Sequence, residues 1–253
     1  MPDPLPTTSD PHRTAVVTGA GRGFGRAISA ALVAAGTHVI GIARTERDLR
    51  AVRDELGEGF TPLTADATDE TVAQQTIREH SPHLLVLNAG AAPHMAPVHE
   101  QTWETFSRNW HTDTRHVFAW TRAALLEPLA PGSVVVSISS GAVLVGSPLS
   151  GGYASAKAAV RYLRGYAAEE SRRAGLDIRF LTLLPQLTPA TALGSVGVAG
   201  YAAQQGVDPD TFAAGLQPIL TPEQVAKAVI DLAADPGSVP EYRIGGEGLR
   251  PLG

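Results

Sequence analysis

The chain has 253 residues, of which 43% are hydrophobic and 18% charged, and its formal net charge is −5. That is room for one α/β domain with a large core, and the charge offers no footprint for nucleic acid or an anionic membrane surface. With no cysteine there is no disulfide, thiol nucleophile or thiolate zinc site, and no run of about 18 apolar residues marks a membrane span.

Residues 1–12 are rich in Pro, Thr and Asp and lack a basic-then-apolar leader pattern, so they read as a flexible N-terminal arm of a cytoplasmic protein. From residue 13 to 253 short apolar runs alternate with helical patterns. Strands are expected over 14–18, 38–43, 60–65, 84–87, 133–139, 177–183 and 242–244. Helices are expected over 24–35, 46–56, 69–80, 102–126, 151–174 and 222–234. This alternation predicts a single-domain, Rossmann-type, doubly wound parallel sheet of about seven strands, with helices on both faces. Runs such as Val134-Val135-Val136 suit strands covered on both sides. Residues 186–217, rich in Gly, Ala, Thr and Gln, break the rhythm and read as a substrate-binding lid. The pairs His80/His83 and His94/His99 have no convincing metal-site partners and read as surface or loop residues.

Three local patterns carry chemistry. The first strand runs into Thr18-Gly19-Ala20-Gly21-Arg22-Gly23-Phe24-Gly25 and then an alanine-rich helix. Glycines there let the backbone approach a pyrophosphate, while the helix N-terminus offers free amides and the positive end of its dipole. The second expected strand ends in Ile42-Ala43-Arg44-Thr45, with no acid to bind ribose hydroxyls or repel a 2′-phosphate. Arg44 and Arg22 supply guanidiniums that match a phosphate in charge and fork geometry, which points to NADP(H). Finally, Tyr153 and Lys157 stand four apart on an expected helix and share a face, with Ser140 thirteen residues earlier. A phenol beside a fixed cation, with a hydroxyl to hold a substrate oxygen, can move a proton to or from a carbonyl or alcohol. Taken alone, the spacing is common by chance, and the pair reads first as a Tyr and a Lys on an amphipathic helix.

The glycine loop spacing, Asp66-Ala67-Thr68, Asn88-Ala89-Gly90, Ser139-Ser140 and Tyr153/Lys157 follow one another in the order found in the short-chain dehydrogenase/reductase family, which the chain resembles from residue 14 to about 244. The resemblance implies an oxidoreductase acting on a small to medium, mainly apolar ketone or secondary alcohol. It implies a cofactor site of Gly19, Gly21, Arg22, Gly23, Phe24, Gly25, Arg44, Asp66, Ala67, Asn88, Ala89, Gly90, Tyr153, Lys157, Pro185, Gln186 and Thr188. Within it Asp66 meets the adenine edge, Asn88 forms the floor and Lys157 also holds the nicotinamide ribose. Asp66 as a helix cap and Asn88 as a turn residue are the plain alternatives. Tyr153 becomes the general acid/base, expected to have a phenol pKa lowered by Lys157, and family spacing selects Ser140 over Ser139. A homodimer or homotetramer through helices 102–126 and 151–174 is a further implication.

The chain departs from the family pattern twice. Where relatives carry an Asn forty residues before the tyrosine, this chain has Asp113, with Asn109 a turn earlier as a weaker substitute. Asp113 would stabilise charged Lys157 while offsetting that charge at Tyr153. Where relatives have Pro-Gly after the sixth strand, it has Pro185-Gln186, whose amide either meets a polar substrate or turns outward. These departures keep open an epimerase or dehydratase of the same family; an inactive NADP(H)-binding sensor is a further alternative, which erosion of the Ser140, Tyr153 and Lys157 set would favour and which the intact set does not. Candidate pocket liners are His94, Met95, Leu144, Val145, Leu149 and Tyr201, with no conspicuous basic cluster, which favours a neutral substrate.

Overall fold

The computed structural model describes residues 13–252, so the expected N-terminal arm lies outside the described residues. Its strands are β1 (Thr14–Thr18), β2 (His38–Ala43), β3 (Phe60–Thr64), β4 (Leu84–Leu87), β5 (Val134–Ile138), β6 (Arg179–Pro185), β7 (Glu241–Gly245) and β8 (Gly248–Pro251). They form one sheet in the order β3-β2-β1-β4-β5-β6-β7-β8, parallel throughout except for β8, which pairs antiparallel with β7. The reversal of strand order between β1 and β4 places a crevice beyond the carboxyl ends of the strands. The sheet therefore has eight strands rather than about seven. The last was not expected because Gly248-Leu249-Arg250-Pro251 pairs a glycine with a proline, a composition tolerated only at a sheet edge.

Alternation along the strands builds two cores. Ala15, Val17, Val86, Val136 and Leu183 face α1 (Gly23–Ala34) and α10 (Pro222–Ala234). Val16, Ile40, Leu85, Val135 and Phe180 face α3 (Glu70–His80), α5 (Arg115–Leu126) and α7 (Gly151–Ala174). Strands buried on both faces are near-continuous apolar runs for this reason. α2 (Glu46–Leu56) follows β2.

One other expectation is corrected, and one segment gains detail. The helix expected over 102–126 is α4 (Trp103–Asn109), a π-helical turn (Trp110–Thr114) and α5. The wider turn carries Asp113, which is completely buried. Single π turns inside α-helices are frequent at functional sites. The segment 186–217 holds two helices, α8 (Ala192–Gln205) and α9 (Pro209–Ala214). α8 forms despite glycines at 194, 197 and 200 because close packing requires them: a Cβ at Gly194 would fall 1.9 Å from the Thr188 carbonyl oxygen. Its first turn is closed by the Thr191 hydroxyl, which accepts from the Gly194 amide at 3.1 Å. α6 (Ala142–Val145) is a single short turn between β5 and α7.

Candidate active site

α7 starts at the carboxyl edge of the sheet, so its first turns bring Tyr153 and Lys157 over the ends of β5 and β6. The Lys157 ammonium is almost wholly buried. It donates to the Ile138 carbonyl at 3.0 Å, lies 3.2 Å from Asp113 Oδ2 and stands 5.8 Å from the centre of the Tyr153 ring. The other carboxylate oxygen, Asp113 Oδ1, accepts from the Ala91 amide (2.9 Å), the Thr112 hydroxyl (2.9 Å) and, more weakly, the Asn109 amide (3.4 Å). Oδ2 makes no aligned hydrogen bond, so its tie to Lys157 is chiefly coulombic. Asn109 instead donates to the Ala91 carbonyl at 2.8 Å, so of the two candidates Asp113 is the one that meets the lysine.

The electrostatics of this centre follow from burial and pairing. Burial alone would push the Lys157 ammonium down, but Asp113, and then Tyr153, hold it above its ordinary value. Burial pushes the Tyr153 phenol up. Lys157 and the Ser140 hydroxyl pull it down and Asp113 pushes it up again, leaving it raised. The expected lowering of this phenol is thus corrected: burial outweighs the Lys157 charge and the Ser140 hydrogen bond, and the Asp113 carboxylate adds a smaller push in the same direction as burial. Ser140 Oγ accepts from the Ala142 amide at 3.2 Å and faces the cavity, whereas the Ser139 hydroxyl is spent on the Lys157 carbonyl at 2.9 Å.

Sequence reasoning missed His116, one turn beyond Asp113 on the same helix face. It is 1% exposed, neither ring nitrogen has a well-formed hydrogen bond, and it lines the cavity. Burial, reinforced by the Lys157 charge, lowers its pKa to about 3, so the imidazole is neutral. The spacing of three from Asp113 was the available signal.

A cavity of about 1280 Å³ runs from this centre along the sheet edge to Arg44. The glycine loop forms one wall, and a Cβ at Gly25 would fall 2.1 Å from the Gly19 carbonyl oxygen. Asn88 fixes the loop from below: its side-chain amide donates to the Thr18 carbonyl at 3.0 Å, and the Thr18 hydroxyl receives the Asn88 and Ala89 amides at 2.9 and 3.1 Å. Asp66 accepts from the Thr68 amide and hydroxyl, both at 2.9 Å, and the amide bond chiefly holds its carboxyl below the usual range.

Residues 13–196 match the short chain dehydrogenase family. The chain belongs to that family. It is an oxidoreductase, and the family uses a nicotinamide cofactor. It is 31% identical over 88% of its length to an NADP-dependent 3-hydroxy acid dehydrogenase of Salmonella typhi, covering 90% of that protein. It is 32% identical over 62% of its length to the NADPH carbonyl reductase 2 of Sus scrofa, of which it spans 64%. The crystal structure of levodione reductase shares the fold, with a TM-score of 0.80 at 22% identity over 93% of this chain and 96% of that one.

The residues of this short-chain dehydrogenase fit a nicotinamide dinucleotide. The N-terminus of α1 has no side-chain cap, so its amides are open to a pyrophosphate. Arg22 and Arg44 are exposed at the cavity rim, and neither guanidinium has a hydrogen bond or ion pair among the described residues. Gly19, Gly21, Gly23, Phe24, Asp66, Ala67, Asn88, Ala89, Gly90, Pro185, Gln186 and Thr188 all line the cavity. Gly25 lies beneath it, in contact with the loop. Thr188 is 2% exposed, and its hydroxyl is committed to the Leu220 carbonyl at 2.6 Å. Of the candidate pocket liners, Met95, Leu144, Val145 and Tyr201 reach the cavity, but His94 and Leu149 do not.

Proposed function

We propose that this oxidoreductase is an NADPH-dependent carbonyl reductase, and in reverse a secondary alcohol dehydrogenase. The observation that carries the reading is the layout of one cavity. Tyr153, Ser140 and Lys157 gather at one point, and two arginines with no ion pair among the described residues stand where an NAD-selective site would have an acid. The two relatives, an NADPH carbonyl reductase and an NADP-dependent 3-hydroxy acid dehydrogenase, support it.

The cofactor supplies or accepts the hydride. The protein handles the oxygen. Tyr153 donates a proton to the developing alkoxide, and the Ser140 hydroxyl donates a hydrogen bond to the same atom. Lys157, fixed by Ile138 and Asp113, keeps positive charge beneath the phenol and reaches the ribose. Positioned proton transfer contributes roughly 10²–10⁴-fold. The walls near this point are largely apolar, from Met95, Leu144, Val145 and Tyr201, and suit a small to medium organic carbonyl. Arg22 and Arg44 grip the 2′-phosphate in this proposal. A homodimer or homotetramer belongs to it as well, supported by an aromatic groove of Trp110, Phe118, Tyr162 and Tyr166 on α5, α7 and the π turn, all exposed.

The test is the near-ultraviolet absorbance of NADPH during incubation with a panel of ketones, in the native enzyme and in Tyr153→Phe. Consumption of NADPH that falls about 10³-fold in the variant, with NADPH binding retained, is the expected result. Product without net cofactor change would assign an epimerase or dehydratase. NADPH binding with no turnover would assign a sensor.

A further inference from the structure

β7 and β8 form the far wall of the cavity, and their pairing sets Arg243 directly opposite Arg250. Residues directly opposite in an antiparallel pair share a face, and like charges in that position repel. That face is the one covered by α7: Glu241, two residues before Arg243, is gripped by Arg161 and Arg164, both on α7. Tyr242 and Ile244 take the opposite face and pack with the core beneath α1 and α10. Tyr153 and the Arg243/Arg250 pair therefore lie on the same side of the sheet.

The local carboxylates do not cancel this charge. Glu241 is already held by its two arginines, and Glu247 pairs with Arg250. Arg243, half-buried and lining the cavity, has a guanidinium with no hydrogen bond or ion pair among the described residues. Among the described residues, four arginines and two glutamates surround the hairpin, so the arginines outnumber the carboxylates by two.

A continuous wall joins this site to the reacting centre. The Gly141 amide, next to Ser140, donates to the Pro185 carbonyl at 2.8 Å, and the Gln186 amide donates to the Ile244 carbonyl at 2.8 Å. The Gln186 side chain then lies across Gly245, where a Cβ would fall 1.9 Å from its Oε1. The residue that replaces the expected glycine is thus accommodated by a glycine on the next strand, and it lines the cavity between Ser140 and the arginines. Two strand spacings, roughly 10 Å, separate the end of β5 from β7.

We propose that Arg243, seconded by Arg250, is an anion subsite that binds a carboxylate carried by the substrate several bonds from its reacting carbonyl, with Gln186 in contact with the segment between. The substrate class becomes a keto acid, or the corresponding hydroxy acid, of medium length. A guanidinium meets a carboxylate through two parallel hydrogen bonds, which fixes the far end and thereby the position of the carbonyl at Tyr153. This replaces the neutral substrate expected from sequence, and it rests on the reductase reading.

Two measurements on the full-length enzyme separate the subsite from that reading. The first is calorimetric binding of hexanoate and of hexanamide to enzyme saturated with NADP⁺, which occupies the arginines of the cofactor end. Hexanoate should bind about tenfold or more tighter than the amide, and the difference should vanish in Arg243→Gln and survive in part in Arg243→Lys. The second is kcat/KM for a medium-length keto acid against its methyl ester. The acid should be preferred about tenfold, the preference should fall to near one in Arg243→Gln, and kcat for the ester and KM for NADPH should stay unchanged. Equal binding of hexanoate and hexanamide by the native enzyme overturns the subsite even if ketones are reduced. Hexanoate binding lost in Arg243→Gln upholds the subsite even if no carbonyl is reduced. A change in sedimentation mass in Arg243→Gln with unchanged selectivity would assign the arginine to contact with a second copy and also overturn it.

Discussion

Arg22 and Arg44 at the rim of the cavity and Lys157 at its centre are all cations, but among the described residues Lys157 alone of the three has a carboxylate in ion-pair contact. The rim guanidiniums are exposed and have no ion pair among the described residues, so their charge is available to whatever enters. The central ammonium sits 3.2 Å from a carboxylate that is itself fully buried, beside an imidazole kept neutral by burial. The physical difference is solvent. At the rim, water stabilises an unpaired charge cheaply, whereas at the centre an uncompensated ion would cost several kcal/mol, so each charge there is matched. Changes at the rim should therefore alter affinity with little effect on pH dependence. Changes at the centre should do the reverse.

Among the changes that leave Tyr153 itself in place, the largest expected effect is at the rim. Arg44→Asp places an anion where the 2′-phosphate would sit and adds to the field of Asp66. KM for NADPH should rise about 100-fold, consistent with loss of a charge-assisted pair and gain of a repulsion, and NADH should become the better donor. The pH profile of kcat should not move. Unaltered NADPH affinity would remove the phosphate role and with it the contrast between rim and centre.

The two regions also differed in how far sequence revealed them. The rim is built by contiguous residues at strand ends: Gly19 to Gly25, Arg44, Asp66 and Asn88 each follow a short apolar run, so the pattern places them without knowledge of packing. The Tyr153/Lys157 pair was equally visible because helix periodicity alone sets it on one face. What stayed hidden depends on tertiary contact. The π turn that drives Asp113 inward leaves no propensity signal. α8 was masked by glycines that a helix disfavours in isolation and that close packing here demands. β8 was masked by its glycine and proline, and with it the pairing of Arg243 and Arg250, residues that only the hairpin brings together. The phenol was assigned the wrong direction because the extent of its burial cannot be read from spacing.

A smaller effect is expected at the centre, from His116. Its folded pKa of about 3 lies below the ordinary 6.5, so as pH falls the unfolded chain takes up the proton first. Stability from this group is complete above pH 6.5 and is lost progressively toward pH 3. Between pH 7 and pH 5 the loss is about 2 kcal/mol. Urea denaturation at both pH values should show that loss in the native protein, and His116→Asn should show it reduced by that amount, whatever the baseline stability of the variant. An unchanged difference between the two pH values would mean the imidazole does not resist protonation, and the centre would then be less dry than its burial implies.

Asp113→Asn should have the smallest effect on rate at neutral pH and the most specific one on its pH dependence. Asp113 raises both its neighbours, Lys157 and Tyr153. Reduction needs the protonated phenol, so activity is present below the Tyr153 pKa and lost above it. Removing the carboxylate leaves the Lys157 charge unopposed at the phenol, whose pKa must fall, and the alkaline limb of kcat/KM should move to lower pH. Because the folded Lys157 pKa is raised, its ion pair contributes fully below the ordinary lysine value and weakens only as pH climbs through the raised one. In the native enzyme the lysine stays charged over the neutral range; in the variant burial pushes Lys157 down as well, so the movement of the limb reports the coupled Tyr153/Lys157 pair. Turnover at neutral pH should stay within about tenfold of native and KM for NADPH should not change. A purely structural Asp113 would lower the melting temperature and leave the limb in place, which would make the matched charges at the centre a matter of folding alone and end its contrast with the rim as a contrast in chemistry.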